Sequence, residues 1–146
     1  MTSYDWLWQK MTRLLKDQNP FVGLLRMKLE ALREGEAELS MPVIPEIHTN
    51  LFGAAHGGAL ASLADTVMGV ACATKGSRVV TIDMNINYIQ SAPAGEAVKA
   101  CGRVIHHGKT TAVVEAEILD GDGQLLAKAR GTFFVVGPLE QDDHGV

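Results

Sequence analysis

The spacing of the apolar positions changes along the chain, and each change predicts a new element. In residues 2–17 the apolar side chains recur on one helical face, which predicts an amphipathic helix that ends at Asn19-Pro20. The pattern next predicts strands over residues 23–32 and 37–41, a turn over 33–36 between them, and a loop over 42–52.

The second half of the chain opens with its most apolar window and then becomes rich in β-branched residues. Residues 57–75 predict a long central helix of Ala, Leu, Val, Met and Gly. Asp120-Gly121-Asp122-Gly123 predicts a hairpin turn, and residues 137–146 form a polar tail that we expect to be frayed. The four strands predicted after the helix lie at about residues 79–90, 97–106, 110–119 and 124–136.

This order predicts an α+β fold in which a mostly antiparallel sheet wraps the central helix. No repeat, low-complexity segment or linker interrupts residues 1–146, so we expect a single domain. The central helix is apolar on several sides, which indicates burial on every side. One six-stranded sheet cannot surround a helix alone, and we therefore expect a dimer.

Composition and charge argue against several classes of function. The net charge of −4 disfavours nucleic acid as a partner, because phosphates bind to basic surfaces. The longest nearly uncharged stretch is interrupted by polar residues and glycines, unlike a membrane span, and no signal-peptide pattern opens the chain, so a cytoplasmic location is expected. Cys72 and Cys101 lack metal or redox spacing and are interpreted as small core residues.

Asp65 is the only formal charge in the apolar window over residues 56–71. A carboxylate is rarely buried without a partner, so Asp65 is either a paired structural acid or an acid that acts on a substrate. The same window begins with His56-Gly57-Gly58 at the expected start of a helix, where backbone N–H groups are unpaired. Together these features suggest a helix N-terminus that faces a substrate and an acid held in a dry place.

The residues around these two features resemble a known family. The run Asn50-x-x-Gly53-x-x-His56-Gly57-Gly58, followed by Leu63-Ala64-Asp65, is similar to that of the hotdog-fold acyl-CoA thioesterases of the PaaI type. Residues 81–88, Gly108-Lys109 and residues 129–133 resemble later parts of the same family, so the resemblance covers roughly residues 20–136. It implies the hotdog fold, in which an antiparallel sheet wraps a long central helix.

The resemblance implies hydrolysis of an aromatic or medium-chain acyl-CoA to the free acid and CoA, without a metal or other cofactor. Asp65 matches a carboxylate that acts as nucleophile or as general base for water, and the Gly57 amide matches a donor that polarises the thioester carbonyl. His56 and Asn50 match positions near the thioester, with a loop-stabilising histidine and an Asx turn as the alternatives. Thr81 matches a residue that hydrogen-bonds to the carboxylate or the water, with an ordinary strand threonine as the alternative.

Other residues are assigned to substrate contacts or to structure. Lys109 is expected to meet the phosphates of CoA, with Arg103 and Arg130 as weaker candidates. Asp83 lies in a predicted strand with Asn85 and Asn87, which could place it at the solvent or at the subunit interface, and it is interpreted as structural. His106-His107 is also interpreted as structural, since adjacent strand residues point to opposite faces and two such histidines do not share a metal ion. The remaining expected contacts, mostly with the acyl group, are Gly58, Leu60, Leu63, Met68 and Tyr88.

The spacing of Gly57 and Asp65 predicts how the chains assemble. They are eight residues apart, which is about 12 Å along one helix. One thioester carbon cannot lie within about 3 Å of both groups at that separation. Two antiparallel helices related by a two-fold axis would bring Asp65 of one subunit to Gly57 of the other. This predicts a homodimer with shared sites, and the resemblance implies a homotetramer of two such dimers.

Two other functions stay open at this point. A hotdog hydratase or dehydratase would need an acid/base histidine elsewhere in the fold, and His56 does not match that pattern. A non-catalytic acyl-CoA-binding protein of the same fold would not need Asp65 at all.

Overall fold

The computed structural model describes residues 4–140, which contain four helices and six strands. The helices are α1 (Asp5–Asp17), α2 (Pro20–Leu24), α3 (Pro45–His48) and α4 (Gly57–Ala73). The strands are β1 (Lys28–Arg33), β2 (Glu36–Pro42), β3 (Ser77–Tyr88), β4 (Ala97–His107), β5 (Thr111–Leu119) and β6 (Leu125–Pro138).

The six strands form one antiparallel sheet in the order β1-β2-β4-β5-β6-β3. β1 and β3 are therefore its two edges. α4 packs against one face of the sheet and contacts β2, β3, β4, β5 and β6. The predicted α+β fold, an antiparallel sheet around a long central helix, is confirmed.

Two glycines of the sheet let α4 lie close to it. A Cβ on Gly102 of β4 would be 2.8 Å from the carbonyl oxygen of Val67. A Cβ on Gly131 of β6 would be 3.2 Å from the Cε of Met68. Because no side chain fits at either position without a shift, these glycines fix how deeply α4 is seated and which of its faces is turned outwards.

α4 has one buried face and one open face in this chain. Seven residues at three- and four-residue spacing are exposed or half-buried, and we call them the open stripe: Gly57, Gly58, Ala61, Ser62, Asp65, Thr66 and Gly69. The buried residues are Ala59, Leu60, Leu63, Ala64, Val67, Met68, Val70, Ala71, Cys72 and Ala73. The burial on every side that the sequence suggested is therefore not reached within a single chain.

The segment after α1 differs from the sequence-based expectation. The strand predicted over residues 23–32 is wrong in its first part, where α2 forms instead. Asn19 Oδ1 accepts a hydrogen bond of 3.3 Å from a backbone N–H of α2, and Pro20 is the first helical residue. This pair starts a helix as readily as it stops one. Arg26 then adopts a φ of 61°, and β1 begins at Lys28.

Three smaller boundaries also differ. The loop expected over residues 42–52 contains α3, and the central helix ends at Ala73 rather than at residue 75. β6 continues through Pro138, so the segment expected to be frayed from residue 137 begins inside the sheet. The rest of that tail, residues 141–146, lies outside the described residues, as do residues 1–3.

The two cysteines have different surroundings. Cys72 is fully buried in α4, as expected of a core residue. Cys101 is only half-buried, and its Sγ lies 3.7 Å from Oε1 of Glu38 on the face of the sheet opposite α4. The interpretation of Cys101 as a core residue is therefore wrong, because its place in β4 turns it away from the helix.

Candidate active site

The N-terminus of α4 leaves one backbone amide free. His56 Nδ1 accepts a hydrogen bond from Gly58 N–H at 2.8 Å, and the His56 carbonyl accepts from the N–H groups of Ala59 and Leu60 at 3.0 and 3.1 Å. Among the described residues, the Gly57 N–H has no acceptor. Of the first four amides of the helix, Gly57 therefore supplies the donor that is available to a ligand.

His56 has the loop-stabilising position that was one of its two predicted roles. It is the N-cap of α4, and its Nδ1 is occupied as an acceptor. Its ring is nevertheless exposed in this chain. Gly58, expected to contact the substrate, is also exposed, but its N–H is taken by His56.

Tyr88 packs directly on Gly57. The Tyr88 hydroxyl donates to the Gly57 carbonyl at 2.7 Å, and a Cβ on Gly57 would be 3.1 Å from the ring carbon Cζ. Burial raises the pKa of Tyr88, so the hydroxyl remains a donor at neutral pH. The close approach of Tyr88, which the sequence did not reveal, thus favours glycine at position 57. Tyr88 was expected to line the acyl pocket, and in this chain it holds the N-terminus of α4.

The loop before α4 is held from inside by a residue that the sequence analysis missed. His48 is fully buried; its Nδ1 accepts from the Ile44 N–H at 3.0 Å, and its Nε2 lies 2.7 Å from the Leu25 carbonyl oxygen. A carbonyl only accepts, so Nε2 carries the proton. The His48 carbonyl in turn accepts from the His56 N–H at 2.7 Å, which ties the helix cap to the interior.

Asn50 forms the Asx turn that was weighed as its alternative role. Its Oδ1 accepts from the backbone N–H groups of Phe52 and Ala54 at 2.9 and 3.1 Å. A second bond joins the Asn50 N–H to the Ala54 carbonyl at 2.8 Å. These bonds shape the tip of the loop, at which Leu51 and Phe52 are 88% and 86% exposed.

Asp65 and Thr81 form the acidic half of the site. Thr81 Oγ1 donates to Asp65 Oδ1 at 2.6 Å, across the space between α4 and β3. Asp65 Oδ2 has no donor within residues 4–140, and the carboxylate lies on the open stripe, half-exposed. The dry environment expected for Asp65 is therefore not present in a single chain.

A β-bulge brings Thr81 and Tyr88 to the same side of β3. They are seven residues apart, and strict alternation would point them to opposite faces. The pairing of β3 with β6 shifts between Thr81 and Asp83, so Ile82 is an extra residue that changes the alternation. Both side chains consequently face α4, Tyr88 at Gly57 and Thr81 at Asp65.

The two halves of the site are far apart within one chain. α4 runs antiparallel to β3, with Gly57 beside Tyr88 and Asp65 beside Thr81. The eight residues of helix between Gly57 and Asp65 correspond to about 12 Å. One chain thus holds a free backbone N–H and a carboxylate that cannot both reach a single carbonyl carbon.

Several predicted contacts with the acyl group lie elsewhere. Leu63 and Met68 are 0% exposed and Leu60 is 4% exposed, because all three belong to the buried face of α4. Met68 points at Gly131 in the sheet. In this chain they are core residues, and their contact with an acyl group stays a prediction.

The predicted phosphate-binding residues are spread out. Lys109 is exposed in the turn between β4 and β5, at the end of the sheet that carries Thr81. Arg103 is 3.7 Å from Glu115, and Arg130 pairs across the strands with Asn85 on the far face of the sheet. Of the three, Arg103 has an acidic partner among the described residues, and Lys109 is the one that lies in a turn at the Thr81 end of the sheet.

The residues interpreted as structural lie away from the site. Asp83 is exposed near Arg130 and Thr132 on the far face of the sheet. His107 Nε2 is 2.7 Å from Ser77 Oγ, while His106 is exposed. Within residues 4–140 no three His, Cys, Asp or Glu side chains are grouped so that they could hold a metal ion, and no helix there is long and apolar enough to cross a membrane.

Comparisons with known proteins place this arrangement in a family. Residues 52–127, just over half of the chain, match the Thioesterase superfamily. The chain is 32% identical over 113 residues to acyl-coenzyme A thioesterase PaaI of Escherichia coli, a match that covers 77% of this chain and 80% of that protein. The chain belongs to the thioesterase superfamily, and its resemblance to the PaaI type is confirmed.

A human relative and solved structures extend the comparison. Human acyl-coenzyme A thioesterase 13 is 36% identical over 92 residues, covering 61% of this chain; the chain thus spans 66% of the length of that relative. The structure of E. coli PaaI superposes with a TM-score of 0.86 at 28% identity and covers 94% of this chain and 98% of that one.

A hypothetical thioesterase from Streptococcus pneumoniae, solved with coenzyme A, superposes with a TM-score of 0.74 at 30% identity and covers 78% of this chain and 91% of that one. Two further structures of that thioesterase are alanine variants, one at an aspartate and one at a threonine. The two replaced residues are sixteen positions apart, which is also the separation of Asp65 and Thr81 here.

Proposed function

We propose that the protein is an acyl-CoA thioesterase with two active sites shared between the chains of a homodimer. The observation that carries the proposal is a pair of incomplete half-sites on one helix. Gly57 offers a free N–H, and Asp65 offers a carboxylate oriented by Thr81. A two-fold axis that crosses α4 between them would bring each half to its complement on the other chain.

The free edge of the sheet supports a dimer. β3 is an edge strand, and three of its apolar or aromatic side chains, Val80, Ile82 and Tyr88, are 55%, 55% and 52% exposed. A long edge strand with exposed apolar residues is normally covered by another strand or chain. Pairing β3 with its symmetry mate would also lay the two open stripes together. Two such dimers would form the homotetramer that the sequence resemblance implies.

The proposed reaction breaks the bond between the acyl carbon and sulfur. The thioester carbonyl oxygen accepts a hydrogen bond from Gly57 N–H, and the positive end of the α4 dipole stabilises the oxyanion that develops there. Asp65 of the other chain then takes one of two routes. As general base it removes a proton from the attacking water; as nucleophile it forms a mixed anhydride that water hydrolyses.

Both routes give the same products, the carboxylic acid and the CoA thiol, and water supplies the oxygen. Thr81 Oγ1 donates to one carboxylate oxygen, Oδ1, and leaves Oδ2 for the proton transfer or the attack. The relative solved with coenzyme A supports this ligand class, and Lys109 is proposed to pair with a CoA phosphate. An aromatic or medium-chain acyl group is the proposed substrate.

A mixing experiment tests the shared site. Asp65→Asn and Gly57→Pro chains are each inactive in this mechanism, and proline fits the first position of a helix while removing the N–H. Random reassociation makes half of the dimers mixed, and each mixed dimer has one intact site. The mixture should therefore recover about a quarter of the wild-type kcat if sites are shared between subunits.

Gly57→Ala is the matched control for Gly57→Pro. Both substitutions press a Cβ against the Tyr88 ring, where the distance would be 3.1 Å, but only alanine keeps the N–H. We expect proline to lower kcat about 10²–10³-fold more than alanine does. Equal losses for the two variants would exclude the Gly57 amide as the oxyanion donor, and no recovery in a folded mixture would exclude the shared site.

A further inference from the structure

A cleft opens beside Asp65, between α1, α4 and β3. Its volume is about 330 Å³, and its polar lining residues include Asp65, Thr66 and Thr81. Beyond these polar groups its walls are mainly apolar, with side chains from two helices and from the sheet beneath. They include Met11, Leu14 and Leu15 of α1, Val70 and Ala73 of α4, and Phe133 of β6.

Gly69 lies on the wall of this cleft one helical turn after Asp65. A glycine inside a helix destabilises it relative to alanine, since it has more conformational freedom to lose. No left-handed φ requires glycine at this position, and a Cβ added there would meet nothing within 4 Å. Neither the backbone nor the packing of this chain accounts for Gly69. In this chain Gly69 leaves space in the cleft.

We propose that this cleft holds the acyl group of the thioester, and that Gly69 and Met11 set the largest acyl group that fits. The inference rests on the proposed function, since it takes Asp65 as the group that acts at the acyl carbon. The acyl chain begins at that carbon, so it must start within about 3 Å of the carboxylate or its water. Asp65 itself lines the cleft, and most of the other lining side chains are apolar.

The lining residues of the cleft favour an uncharged ligand. Among the described residues that line the cleft, the charged ones are Asp65 and Arg78, and Arg78 Nε donates a hydrogen bond to the Pro138 carbonyl at 3.2 Å. An uncharged hydrocarbon acyl group fits such walls, whereas the phosphates of CoA do not. Burial of each methylene should raise kcat/KM about fourfold until the cleft is full.

The inference gives α1 a function that the sequence did not suggest. The buried face of α1 includes Met11 and Leu15, and both turn towards the cleft as well as the core. The residues that the sequence analysis assigned to the acyl pocket, Leu60 and Met68, are closed off on the other face of α4. The size limit of the acyl group is thus set by Met11 of α1 and Gly69 of α4 rather than by the buried residues Leu60 and Met68.

Substitutions on opposite walls of the cleft test the inference. Gly69→Leu should fill the cleft and shift the preferred chain length downwards, while Met11→Ala should shift it upwards. The readout is kcat/KM for straight-chain acyl-CoAs from acetyl to decanoyl. We expect the ratio of octanoyl to acetyl kcat/KM to fall at least tenfold in Gly69→Leu, since two to three methylenes lose their place. Gly121→Ala, an open glycine in the β5–β6 turn, is the control and should leave the ratio unchanged.

Binding separates the cleft from catalysis. The Kd of the same acyl-CoAs is measured by calorimetry with Asp65→Asn protein, alone and combined with each wall substitution. Hydrolysis by the wild type with an unchanged chain-length preference in both wall variants would overturn the inference and leave the proposed function standing. Shifted binding without any wild-type hydrolysis would support the cleft and overturn the proposed function.

Assembly is measured by light scattering for every variant, because Gly69 is on the open stripe. If Gly69→Leu alters the assembly, the test rests on Met11→Ala instead, because Met11 lies outside that stripe. An unchanged octanoyl-to-acetyl ratio in Met11→Ala, in both hydrolysis and binding, then overturns the inference.

Discussion

Replacing Thr81 by valine removes one hydroxyl and little else. Valine has nearly the same shape and the same β-branch, so the strand and its bulge should be retained. The lost contact is the 2.6 Å hydrogen bond from Thr81 Oγ1 to Asp65 Oδ1. Thr81 is exposed in the single chain, so the free energy of unfolding should change little. The effect should therefore appear in catalysis.

The expected magnitude follows from the charge of the acceptor. A hydrogen bond to an ionised group contributes about 1.5–3 kcal/mol, and each 1.36 kcal/mol corresponds to a tenfold change in rate. If this bond orients the carboxylate for its reaction, kcat should fall about ten- to hundredfold in Thr81→Val. KM should change much less, because the hydroxyl does not hold the substrate.

The assay is thiol release from acyl-CoA, with kcat and KM measured separately for three proteins. Thr81→Ser keeps the hydroxyl and loses the methyl group, so it should retain most of the wild-type kcat. Asp65→Asn sets the rate without the carboxylate. A Thr81→Val protein with a kcat within twofold of wild type, while Asp65→Asn is inactive, would refute the orienting role of Thr81.

Three further predictions concern the support of the site. Tyr88→Phe removes the donor to the carbonyl at the start of α4; kcat should fall about two- to tenfold at constant melting temperature, and an unchanged kcat contradicts the role. His48→Ala leaves the Leu25 carbonyl and the Ile44 N–H unpaired beside a cavity. Urea denaturation should therefore give a free energy of unfolding about 3 kcal/mol lower than that of the wild type, and a loss under about 1 kcal/mol would contradict the supporting role of His48. Burial raises the pKa of Cys72 to about 11, so at pH 8 this thiol is protonated. It should react with a disulfide reagent only after unfolding, and rapid reaction in the native protein would contradict the burial of Cys72.

The features that the sequence revealed are those with a long or distinctive local pattern. The seventeen residues of α4 form an apolar run that is too long for a strand, and Asp65 is conspicuous in it. The glycine pair and the histidine before it mark the start of the helix. Gly57 and Asp65, the two residues on which the proposed function rests, could therefore be singled out before their surroundings were known.

The errors occurred where a local pattern does not determine a tertiary contact. α4 is apolar on several sides, so periodicity could not tell which face lies on the sheet, and the burial of Leu60 and Met68 in the single chain was not foreseen. His48 is an isolated polar residue between prolines and a loop, and nothing local predicts its burial. A bulge leaves no trace in the composition of β3, so the common orientation of Thr81 and Tyr88 was not foreseeable.

The bulge at Ile82 divides β3 into two segments whose side chains alternate in opposite senses. Before it, odd-numbered residues face α4; after it, even-numbered residues do. If Ile82 were deleted, the segment that carries Tyr88 could keep its orientation. The side chains of the segment that carries Thr81 would then point to the opposite face of the sheet. Thr81, which donates to Asp65, and Tyr88, which donates to the Gly57 carbonyl, thus lie on segments of β3 with opposite alternation, and a substitution in one segment need not disturb the other.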